Sequence, residues 1–96
     1  MKGTEKQVAW AKDIQKAWRL GMAKALEFGK EFGVEAPLPK EITGLVQKVL
    51  DEKDAAAIIE QFGHINTHGD PQKAFVDALP QDLVETYFAW EFGDLD

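Results

Sequence analysis

The chain has 96 residues, 45% of them hydrophobic and 10% aromatic, which is enough apolar mass for one globular domain and too much for a disordered segment. It has no cysteine, which excludes a disulfide framework and thiolate metal or redox sites, and it has neither an apolar leader nor the roughly 18 consecutive apolar residues of a membrane span, so a cytoplasmic protein is expected. The net charge of −6 conceals an opposition: residues 1–33 hold seven Lys and Arg against four carboxylates, net +3, and the remainder holds four Lys against thirteen, net −9.

Thr4, Glu5, Lys6 and Gln7 form a capping-box signature, with the Thr hydroxyl suited to the third helical N–H and Gln7 to the backbone N–H of Thr4. A long helix over about residues 4–33 is predicted from here. Ala11, Ile14, Trp18, Gly21, Ala25, Phe28 and Phe32 recur at alternating steps of 3 and 4 and so share one stripe, with Val8, Trp10, Ala17, Met22 and Leu26 widening it. Gly33 is the expected stop, because glycine tolerates the left-handed conformation that closes many helices. At about 1.5 Å per residue the rod is roughly 40 Å long, so an end available for self-association is expected. Gly21 and Gly29 inside it predict either a bend or a close helix crossing.

Residues 34–38 lead through Pro37 to Pro39 and read as an extended linker, with Pro39 suited to the first position of the next helix. Ile42, Leu45, Val46, Val49 and Leu50 then give the sharpest amphipathic pattern in the chain, a helix over about 39–51. A short helix over about 53–62 follows, with Asp51 or Asp54 as its N-cap, Ala55, Ile58, Ile59 and Phe62 as its apolar face, and Gly63 beyond it. Asp70-Pro71 opens a helix to about residue 79, and Pro80 separates it from a last helix over about 80–92, with Leu83, Val84, Tyr87, Phe88 and either Trp90 or Phe92 facing inward. No stretch alternates with a period of two, so the expected fold is all-α, one domain holding an irregular bundle of four to five helices organised on the first.

His64 and His68, with Asp70 just after them, are the candidate metal ligands. The spacing serves a metal only on one helical turn, whereas Asn66, Gly69 and Pro71 place these residues in a loop, and no Glu follows His64. No metal, no cofactor and no enzymatic activity are therefore expected; neither a phosphate loop nor a nucleophile motif occurs. Lys12, Lys16 and Arg19 line one helical face, a candidate nucleic-acid contact or else a solvated surface, and the net negative charge opposes the former. From residue 77 onward Asp77, Asp82, Glu85, Glu91, Asp94 and Asp96 meet no Lys or Arg, a distribution that suits a soluble surface or an acidic DNA-mimic inhibitor. Tyr87, Phe88, Trp90 and Phe92 cannot all face one stripe, so Trp90 first, then Phe92, with Glu91 between them, are the expected partner contacts.

The segment from Thr4 to Ile14 resembles the S/T-E-K-Q-[IV]-x-W-A-x-x-I-R element of small bacterial and phage-encoded proteins, with Gln15 in place of the Arg. Asp54 to Ile59 resembles their later D-A-x-x-W-I segment, with Ile58 in place of Trp. The resemblance implies a phage or mobile-element accessory protein. The leading expectation is thus a small protein-binding module, possessing either a homodimer contact through the first helix or a contact with another protein, and the alternatives are a nucleic-acid-associated protein and the DNA mimic.

Overall fold

The computed structural model describes residues 1–92, which form α1 (Glu5–Glu31), α2 (Lys40–Asp51), α3 (Ala55–Phe62), α4 (Pro71–Ala78) and α5 (Gln81–Glu91). No strand occurs among the described residues; one isolated bridge joins Lys2 to Asp54. The molecule extends 44 × 22 × 18 Å, so α1, about 40 Å long at helical rise, runs nearly its whole length. The radius of gyration of 13.8 Å exceeds the value of about 12.5 Å for an average domain of this length, as an uncut rod requires.

Local chemistry sets the ends. Thr4 Oγ1 accepts from Gln7 N at 3.2 Å and Gln7 Oε1 accepts from Thr4 N at 3.0 Å, which completes the capping box. At the other end Val34 N donates to Gly29 O and Gly33 N to Lys30 O, a Schellman closure with Gly33 at φ +78°. Asp54 and Asp70 cap α3 and α4 through Ala56 N and Gln72 N, and Pro71 takes the first turn as expected. Pro39 and Pro80 do not: each is an N-cap with ψ of 140° and 152°, one residue before its helix. Leu79, extended at ψ 142°, ends α4 one residue early because the residue before a proline is driven out of the helical region.

α2, α3 and α4 pack around α1, and α5 folds back onto α2 and the far end of α1. Trp18, Tyr87, Phe75, Ile14, Ile42, Ile58 and Val46 are the largest fully buried side chains. Trp18 meets Phe62 and Phe75 nearly perpendicularly at 5.1 and 5.5 Å between centroids, and Phe75 meets Tyr87 at 5.9 Å. Such edge contacts add roughly 0.5–1.5 kcal/mol each beyond area burial.

The predicted stripe is correct from Ala11 to Ala25 and then moves. Gly29 is buried, Phe28 is only partly so, and Phe32 is 64% exposed. Steps alternating strictly between 3 and 4 describe a seven-residue repeat, which drifts about 20° per heptad on a straight helix, so the buried line passes to Gly29. Phe32 lies one residue beyond the helix. Trp10 and Leu26, expected to widen the seam, are 44% and 37% exposed, with the Trp10 ring lying over Gly63.

Of the two outcomes expected at the internal glycines, the crossing is the one found. A Cβ on Gly21 would collide with Phe75 Cβ and stand 2.7 Å from the Pro71 carbonyl oxygen, and one on Gly29 would stand 2.7 Å from Trp90 Cη2. Between helices, Gln15 Nε2 donates to the carbonyls of Val49, at 2.9 Å, and Glu52, at 3.1 Å, closing the C-terminus of α2 from α1.

Urea unfolding should distinguish these glycines. Gly21→Ala is expected to cost about 1–3 kcal/mol by overpacking the crossing, whereas Gly44→Ala, in α2 with nothing within 4 Å, should gain about 0.5–1 kcal/mol. Gln15→Ala should cost about 1 kcal/mol through the orphaned carbonyls, with Gln15→Lys recovering most of it through a charged donor.

Candidate functional site

His64, His68 and Asp70 occupy the turn between α3 and α4, and all three are exposed. Asn66 Oδ1 accepts from the His68 backbone N–H at 3.0 Å, which curls this turn locally, while Asp70 Oδ1 is engaged as the α4 cap. No group of three His, Cys, Asp or Glu side chains that could hold a metal ion occurs among the described residues. His68 instead borders a hollow of about 290 Å³ with Asp13, Lys16, Leu20 and Asn66, a mixed-charge surface concavity.

Lys12, Lys16 and Arg19 are exposed on the side of α1 away from the core. The acidic remainder does not neutralise them, since the one ion pair among the described residues is Lys24–Glu27, within α1 at 3.7 Å. The face is a solvated strip of positive charge. No helix among the described residues is long and apolar enough to cross a membrane.

The C-terminal end of the bundle overturns part of the expected partner contact. Trp90 is 2% exposed, with its ring on Gly29 and its indole N–H donated to Ala36 O at 2.9 Å. It is a structural anchor that ties α5 to α1 and to the linker. Glu91 is 5% exposed, a buried carboxylate whose Oε2 has no hydrogen-bond partner among the described residues. Phe92, by contrast, is 65% exposed and stacks on Phe88, itself 40% exposed, at 6.1 Å and 16° between planes. Phe28 and Phe32 form a similar pair on α1, with centroids 4.7 Å apart. Trp90 stands two residues from both Phe88 and Phe92 and seats on the residue after Phe28, so both pairs lie at one end of the molecule. Phe32 was assigned by periodicity to the seam; only its position past the last helical turn reveals it as surface.

This end is acidic. Asp77, Asp82, Glu85 and Glu91 accompany Lys73 on α4 and α5, whereas Asp94 and Asp96 lie outside the described residues. Tyr87 is fully buried beneath it, and its hydroxyl accepts from Gln72 Nε2 at 3.2 Å. Burial pushes the Tyr87 phenol up to about 12 and the Glu91 carboxylate adds to this, while the Gln72 bond opposes it.

No family model, curated protein or solved structure matches the chain.

Tyr87 is the one tyrosine, so its ionisation can be followed directly by phenolate absorbance. Its folded pKa lies above the unfolded value of about 10. The unfolded state therefore releases the proton first, and the stabilisation present below pH 10 is lost as pH rises from 10 to about 12. The expected outcome is alkaline destabilisation over that window in the wild type, absent in Tyr87→Phe, measured by unfolding at successive pH values.

Proposed function

We propose that the chain is a non-catalytic protein-binding module of the phage or mobile-element accessory kind, and that it binds through the aromatic end formed by Phe28, Phe32, Phe88 and Phe92. The observation that carries the reading is the exposure of Phe32 and Phe92, 64% and 65%, at one end of the bundle. Large aromatic side chains left in water are unfavourable alone and become strong anchors when a partner covers them. The resemblance at Thr4 to Ile14 supports the accessory role.

Charge chooses the partner. Two copies meeting through the same patch would bring together two sets of the exposed Asp82 and Glu85, which share the outward face of α5 with Phe88, a repulsive arrangement for an isologous contact. The fitting partner is a different protein whose apolar contact is ringed by Lys and Arg. The separate strip of Lys12, Lys16 and Arg19 supports a second reading, contact with nucleic acid, because it is exposed and unpaired among the described residues. The overall charge of −6 weighs against that reading.

The test uses a protein captured by the chain, then purified and titrated back by calorimetry. It is expected to bind the wild type at least about tenfold more tightly than the Phe32→Ser, Phe92→Ser double variant, with Lys16→Glu within about twofold of wild type. Equal affinity for the double variant would overturn the reading. So would a wild-type solution mass of two chains that falls to one chain in the double variant, or salt-sensitive DNA binding abolished by Lys16→Glu.

A further inference from the structure

An open hollow of about 260 Å³ lies between α4 and α5, bordered by the acidic residues Asp70, Asp77 and Glu91, by Lys73, and by Tyr87 and Phe88. Three acids face one ammonium there. Glu91 distinguishes the hollow from an ordinary acidic surface: it is 5% exposed and, among the described residues, its Oε2 is buried without a hydrogen-bond partner. A carboxylate removed from water with one oxygen unmatched is costly even beside the Tyr87 phenol, and a cation brought beside it recovers part of that cost. The hollow adjoins the aromatic end, since Phe88 belongs to both.

We propose that this hollow receives the guanidinium of an arginine side chain presented by the partner protein, an inference that rests on the protein-binding reading above. The carboxylates are too dispersed to share a point charge, because among the described residues no three acids or histidines gather closely enough to hold a metal ion. A guanidinium spreads its charge and five donors over a plane, so it can address separated carboxylates at once, and it is less strongly hydrated than an ammonium. The aromatic walls add a second preference. Guanidinium planes stack on aromatic rings, and Phe88, 40% exposed where Tyr87 is fully buried, supplies the one such face at the mouth. An arginine seated here would enter beside Phe88 while the apolar part of the partner covers Phe92.

The test titrates N-acetyl-arginine methylamide into the isolated full chain and follows the Gln72 side-chain amide and the Glu91 backbone amide by NMR. The blocked lysine and norleucine amides serve as comparisons. Saturable shifts are expected for the arginine compound, with a dissociation constant on the order of millimolar, weaker for lysine and absent for norleucine. Glu91→Gln should weaken binding at least about tenfold, and Asp77→Asn, at an exposed position that leaves the fold intact, about threefold. Arginine binding no better than norleucine, or binding insensitive to both variants, overturns the proposal. The two readings separate cleanly. Failure of the arginine compound alongside loss of partner affinity in the phenylalanine variant discards only the hollow. Binding of the compound alongside an unaffected phenylalanine variant discards the aromatic contact and identifies the hollow as a site for a free guanidinium.

Discussion

The place where α4 crosses α1 determines most of what surrounds it. Because Gly21 has no side chain, the Pro71 carbonyl and Phe75 approach the α1 backbone more closely than any other residue would allow. That approach puts Phe75 against Trp18 on one side and Tyr87 on the other, so a continuous aromatic line joins α1, α4 and α5. Trp18 carries a cost within it, since its buried indole N–H finds no acceptor among the described residues. An unsatisfied donor of this kind costs about 1–3 kcal/mol, which the packing around it must exceed.

A second glycine repeats the device at the far end of the rod. The Trp90 ring on Gly29 and its bond to the Ala36 carbonyl fasten the last helix to the first and to the linker between α1 and α2. This anchor decides how α5 is rotated about its own axis. With Tyr87 and Trp90 turned inward, Phe88 and Phe92, one and two residues away, must turn outward. The exposed aromatic surface is thus the complement of the buried one on a single short helix, and Glu91, next to Trp90, is drawn inside with it.

Charge follows the same partition. The cations of α1 stay on its outer face and the acids of α4 and α5 other than Glu91 on theirs, with no ion pair between them among the described residues. Surface ion pairs contribute about 0–1 kcal/mol each, so stability did not require them to meet. Separated, they leave the molecule with a basic flank on α1 and an acidic outer face on α5, and that outer face also exposes the Phe88 and Phe92 rings. That coincidence is the basis for assigning a partner with both apolar and cationic character.

Helix chemistry confined to neighbours along the chain was legible in the sequence: the capping box of Thr4 and Gln7, the aspartate caps at Asp54 and Asp70, the closure at Gly33 and the five-helix, all-α architecture. These depend on atoms within a few residues of each other, so spacing alone carries them. Three features depended on what lies across the bundle. Trp90 reads as surface until Gly29 gives its ring a seat; the bonds of Gln15 to the open carbonyls at the end of α2 leave no mark in the spacing of α1; Phe32 reads as seam until the helix ends before it. Periodicity specifies which residues share a face, and it is silent on which face a neighbour will cover. The sequence by itself determined the helices and their apolar sides. Tertiary structure decided which aromatics became core and which became surface, because that choice rests on where another helix can approach closely enough to exclude water.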